Sequence, residues 1–102
     1  MLTLPIKKKW FDMILSGEKK EEYREIKPYY ASRFFQRFKV DKNGLITCIE
    51  TMTLIFRNGY SKNSPAIKCD VEIRIGTGKY EWGAEPNKEY YVLKILSVEE
   101  IK

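Results

Sequence analysis

The stretch IKCDVEIRI, residues 67 to 75, alternates without a break. Ile67, Cys69, Val71, Ile73 and Ile75 fall on one side of an extended chain, and Lys68, Asp70, Glu72 and Arg74 fall on the other. Successive side chains of a strand point to opposite faces, so the pattern predicts an antiparallel strand with one face on a core and one in water. Residues 49 to 57 alternate in the same way and end at Asn58-Gly59, the residue types of a tight chain reversal. Residues 90 to 98 are rich in β-branched and aromatic side chains and predict a further strand. At the front, Leu2, Leu4 and Ile6 predict a short first strand that ends near Pro5.

Two helical patterns interrupt this β reading. From Lys8 to Ser16 the apolar residues Trp10, Phe11, Ile14 and Leu15 recur at helical spacing, and Gly17 stands where a left-handed residue closes a helix. A strand over residues 20 to 26 follows. Pro28 suits the first turn of a second helix, whose stripe Tyr30, Phe34 and Phe38 repeats every fourth residue, with Arg33 and Arg37 on the opposite side. Asp41 to Gly44 reads as a turn. Two helices near the front and four or five antiparallel strands predict an α+β domain, 1–102, with a curled, barrel-like sheet and helices packed on its openings.

Composition narrows the function. Hydrophobic residues are 43% of the chain, enough for a core, and no apolar run approaches the roughly 18 residues of a membrane span. The order of charge and apolar residues in MLTLPIKKKW is the reverse of a signal peptide, so a cytoplasmic protein with no membrane partner is expected. There is no histidine, and Cys48 and Cys69 form no CxxC pair, which argues against a zinc site and against Ser/His or Cys/His nucleophile systems. No cofactor is implied, and both cysteines read as small core residues. Residues 1 to 43 hold 11 Lys and Arg against 6 Asp and Glu, whereas residues 44 to 102 hold 8 of each. The whole excess of +5 therefore lies in the first part, a sign asymmetry that points to a polyanionic partner; a plain soluble surface is the alternative.

The segment GEKKEEYR, residues 17 to 24, carries Gly17, Lys19, Glu22 and Arg24 in the pattern G-x-K-x-x-E-x-R, at the passage from a helix to a strand. Strand alternation puts Glu22, Arg24 and Ile26 on one face, so an inward Ile26 would carry the two charges inward, where burial requires that they pair. Glu22, held by Arg24, could accept from the amino group of a base, and Lys19 could reach toward a phosphate or a reacting carbonyl. On this reading Arg24→Ala costs about 3 kcal/mol and Lys19→Ala less than about 1. A solvated, charged edge strand is the alternative.

The motif, together with Leu4-Pro5-Ile6-Lys7 and Ile14-Leu15-Ser16 before it, resembles the signature of the ASCH family, over about the first third of the chain. The resemblance implies a PUA-like fold, a small β-barrel with flanking helices, and an RNA or nucleotide ligand held at the motif. It also implies an alternative, since some ASCH-like proteins are amidohydrolases of acetylated cytidine and others are reported as ribonucleases. In an enzyme Lys19 and Glu22 would be the catalytic pair, although the amidohydrolases have threonine in the position of Glu22.

Weaker signals complete the candidate surface. Lys7-Lys8-Lys9 and the group Arg33, Arg37 and Lys39 could track a phosphate backbone, although each reads equally as solvated surface. Trp82 lies in a glycine-rich stretch unsuited to a regular strand, where its ring could stack a base or pack in the core.

Overall fold

The structure is a computed structural model that describes residues 1–34, 38–40, 42–44, 46–48 and 51–101. In chain order the elements are β1 (Thr3–Pro5), α1 (Lys8–Leu15), β2 (Glu21–Arg24), α2 (Pro28–Phe34), β3 (Phe38–Val40), β4 (Ile46–Cys48), β5 (Thr51–Arg57), β6 (Ala66–Thr77), a 3₁₀ turn (Tyr80–Trp82) and β7 (Glu89–Ile101). Five strands form one curled sheet, a half-barrel in the order β1-β5-β6-β7-β2, and β3 and β4 pair as a separate two-stranded ribbon. The half-barrel is antiparallel except where β1 lies parallel to β5.

The alternation of residues 67 to 75 holds in space. Ile67, Cys69, Val71 and Ile73 are fully buried, while Lys68, Asp70, Glu72 and Arg74 face outward. The register of β6 against β7 shifts between Asp70 and Val71, where Asp70 opposes Ser97 but Val71 opposes Ile95. The bulge adds local twist and helps the long β6–β7 ribbon to curl. Phe11 and Ile14 of α1 and Phe34 of α2 join the inward residues of β5, β6 and β7 in one core. Phe34 stacks at 5.9 Å on Tyr30 and meets Tyr91 edge-on at 5.4 Å. Burying a side chain of this size contributes roughly 1.5–3 kcal/mol, so a few aromatic anchors hold the two short helices to the sheet.

Three features depart from the sequence reading. The tight reversal expected at Asn58-Gly59 is an eight-residue loop over residues 58–65, in which Asn58 N–H still bonds across to Pro65 and the chain turns over Ser61 to Ser64. The stripe through Phe38 predicts a longer second helix, but α2 ends at Phe34 and Phe38 opens β3. Strand β2 stops at Arg24, two residues before the expected end, and Ile26 is 48% exposed. Arg37, Asp41 and Ile49 lie outside the described residues.

At one end, β7 is covered on both faces. Tyr91 and Leu93 belong to the main core, while Tyr90 and Val92 pack with Ala84 beneath the segment that carries the 3₁₀ turn. That segment crosses the outside of the sheet and brings Trp82 back to α1 and β2. Among the described residues no helix is long and apolar enough to cross a membrane.

Candidate functional site

The end of α1 aims the motif. Gly17 takes φ +86°, a conformation glycine adopts at little cost, and its N–H donates to the Ile14 carbonyl (3.1 Å) while that of Lys19 donates to Met13 (2.9 Å). The chain folds back over the helix end, so Lys19 points under the sheet edge instead of into water.

Lys19 is fully buried, with no exposed side-chain surface. Its Nζ donates to the Trp82 carbonyl, lies 3.3 Å from Glu22 Oε1, and sits 5.0 Å from the Trp10 ring centre and 4.8 Å from that of Tyr23. Burial draws its pKa below the ordinary lysine value; Glu22 pulls the other way without offsetting it, and Arg24 adds to the depression. The expectation that Lys19 reaches into an open cavity therefore needs correcting. Its ammonium stands behind Glu22, as an internal strut between β2 and the 3₁₀ turn.

Glu22 and Arg24 do share a face and do pair. Arg24 grips one carboxylate oxygen, Oε2, with Nη2 at 2.7 Å and Nε at 3.1 Å, leaving Oε1 toward Lys19. The remaining Arg24 donors reach the Pro5 carbonyl (2.8 Å) and the Tyr30 hydroxyl (3.0 Å), so the guanidinium ties β1, β2 and α2 together. Burial lowers the Arg24 pKa, but Glu22 and Tyr30 outweigh it and leave the group above its ordinary value. The exposed Ile26 shows that the inward direction does not come from an isoleucine anchor. It comes from the pairing of β2 with β7, where Glu22 opposes Leu93 and Arg24 opposes Tyr91.

Glu22 and Arg24 line a cavity of about 290 Å³. Trp10, Tyr30 and Trp82 supply aromatic wall, Lys7 and Lys27 supply cationic groups, and Glu25 adds a second carboxylate. Tyr23 also lines it, and is held by a relay in which its hydroxyl donates to Glu21 (2.8 Å) and accepts from the Lys79 N–H (2.9 Å), while Arg74 donates to Glu21 (3.1 Å). Gly83 brings the 3₁₀ turn close to Trp10: its φ is +104°, and a Cβ there would approach the indole within 3.1 Å. Trp82 is half-buried, with the Lys79 ammonium 4.5 Å from its ring centre, so it serves partly as packing and partly as cavity wall.

The other sequence candidates fall elsewhere. Arg33 does not line the cavity; its guanidinium stacks at 3.6 Å on Tyr29 and donates to the Tyr29 carbonyl (2.7 Å). Of the lysine run, Lys8 pairs with Asp12 (2.6 Å), Lys9 lies against Trp10, and Lys7 alone joins the cavity. Sequence reasoning missed Lys7 as a single site residue, and also Trp10, Tyr30 and Lys27. Trp10 and Tyr30 sit in the apolar stripes of their helices, which look the same whether a ring ends in the core or at its margin. Among the described residues no three His, Cys, Asp or Glu side chains gather as a metal site. The chain matches no family model, no curated protein and no solved structure.

Proposed function

We propose that this chain is an ASCH-type, PUA-like RNA- or nucleotide-binding domain that takes a base into the Glu22–Arg24 cavity. One observation carries the reading: a buried carboxylate, clamped by two cations, lies at a cavity walled by Trp10, Tyr30 and Trp82. Glu22 retains lone pairs beyond those that Arg24 and Lys19 engage, and a carboxylate held in one orientation suits the exocyclic amino group of a base. The aromatic walls suit its flat faces, and Lys7 and Lys27 suit a phosphate at the mouth. The size lies near the lower end of the roughly 300–1,000 Å³ of small-molecule sites, in keeping with one nucleoside. The motif resemblance and the basic first part of the chain support the same reading.

Hydrolysis of a modified nucleoside or of RNA is a second reading, favoured by the depressed pKa of Lys19 beside Glu22. Against it, Lys19 has no exposed surface through which to meet a substrate.

The test is equilibrium binding of ribonucleosides, nucleoside monophosphates and short RNAs to wild type and to Glu22→Gln, followed by tryptophan fluorescence. Bases that carry an amino group should bind Glu22→Gln about tenfold more weakly, a loss of roughly 1.4 kcal/mol. Wild type that binds none of these compounds would overturn the proposal. Incubation with N4-acetylcytidine and with RNA, analysed by mass spectrometry, separates binding from turnover: acetate and cytidine, or cut RNA, would establish the second reading.

A further inference from the structure

A second cleft adjoins the first. It has a volume of about 310 Å³ and is lined by Thr3, Pro5, Arg57, Gly59, Tyr60 and Lys62. Pro5 lines both clefts, and it is the residue whose carbonyl Arg24 holds. Pro5 also pairs with Arg57 across the β1–β5 register, so one ridge of backbone separates the cavity from the β5–β6 loop. Among the described residues no carboxylate lines the second cleft, whose cations are Arg57 and Lys62.

Tyr60 is 94% exposed, yet the loop that carries it is firmly built. Arg57 Nη1 donates to the carbonyls of Lys62 (2.9 Å) and Ser64 (2.8 Å), Asn58 N–H donates to Pro65 (2.8 Å), and Ser64 N–H donates to Ser61 (2.9 Å). An ordered loop that leaves a phenol ring in water offers a stacking platform at little entropic cost. On the other side of the cavity the surroundings differ. Trp10 and Gly83 also border a cleft with the exposed Tyr80, but there Glu81 and Glu85 stand against one cation, Lys9, a net negative lining that disfavours a phosphate.

We infer that the ligand is single-stranded RNA rather than a lone nucleoside, and that its chain leaves the Glu22–Arg24 cavity over Pro5 to stack a neighbouring base on Tyr60 beside Lys62. The inference rests on the proposed function and adds to it a length requirement and a direction. Stacking on Tyr60 supplies affinity without sequence preference, because every base has a π-face, and Lys62 displaces counterions from the backbone.

Fluorescence anisotropy with a labelled, mixed-sequence RNA hexamer tests this, with the four ribonucleoside monophosphates as unlabelled competitors. The hexamer should bind more tightly than any monophosphate. Tyr60→Ala should weaken the hexamer about tenfold, as expected for loss of one stacked base, and leave the inhibition constants of the monophosphates unchanged. Lys62→Ala should lower the slope of log affinity against log salt by about 0.7. Tyr80→Ala should leave the hexamer affinity at the wild-type value. Equal effects of Tyr60→Ala and Tyr80→Ala, or a hexamer no tighter than a monophosphate, would overturn the inference while monophosphate binding upholds the cavity. Absence of binding by both hexamer and monophosphates would remove the proposed function and this inference with it.

Discussion

Replacing Lys19 should be as damaging as breaking a core contact, because the structure makes this charged residue part of the interior. Lys19→Ala deletes three buried methylenes, worth about 0.8 kcal/mol each. It also leaves the Trp82 carbonyl without its donor, at about 1–3 kcal/mol. Glu22 keeps Arg24, so the full penalty of an unpaired buried charge does not arise, and relief of the desolvated ammonium offsets part of the loss. The net expectation is about 3 kcal/mol, or roughly 12–24 °C in melting temperature for a chain of this size. Lys19→Met keeps an unbranched apolar chain of similar volume and should cost about 1–2 kcal/mol, chiefly the polar part. Urea denaturation followed by circular dichroism measures both. The pH profile gives a second check. The folded-state pKa of Lys19 lies below its unfolded value of 10.5, so the unfolded chain binds more protons between the two. Wild-type stability therefore gains a rising contribution as pH climbs through that window, and Lys19→Met lacks it. A cost below about 1 kcal/mol for Lys19→Ala, equal to that of Lys19→Met, would refute the strut and restore a solvent-facing lysine.

Arg24→Ala should cost about 3–5 kcal/mol, since it strips a buried carboxylate of its closer partner and leaves Pro5 and Tyr30 without their donor; chemical denaturation reads this directly, and a loss under about 1 would contradict the pairing. Gly83→Ala should destabilise by about 1–2 kcal/mol from its left-handed backbone and also disturb Trp10, visible as an altered tryptophan emission spectrum in the folded protein. Burial, with Asp70 adding to it, pushes the Cys69 thiol up to about 12, from 9.0 in the unfolded chain. The folded state then holds the proton more tightly, so this stability is complete below pH 9.0 and drains as pH rises toward 12, by about 2–3 kcal/mol at pH 11. Cys69→Ala should show a shallower alkaline decline, and parallel curves for the two proteins would argue against a neutral buried thiol. RNA affinity should fall steeply between low and moderate salt, and binding indifferent to salt would count against phosphate contacts.

Much of the fold is legible locally because periodicity is a local property. The two-residue alternation of 67 to 75 and the helical spacing before Gly17 each specify an element from its own residues, and the elements appear where those patterns stand. The spacing of Glu22 and Arg24 likewise puts them on one face of a strand, whatever lies around it. Which way that face points is not a local property: β2 ends before Ile26, which stays exposed, and pairing with β7 turns the two charges inward. The fate of Lys19 was equally hidden, since its partner is a backbone carbonyl 63 positions away, in a segment that no sequence pattern ties to the motif. The cavity itself belongs to tertiary structure. Lys7 and Trp10 at the start of α1, Tyr30 on α2 and Trp82 on the 3₁₀ turn come from three separate elements, and only the crossing of the 3₁₀ turn over β7 and the docking of two short helices bring them to one place. Residue chemistry and spacing along the chain determined which groups were available, whereas packing between distant segments decided which became wall, which became strut and which stayed in water.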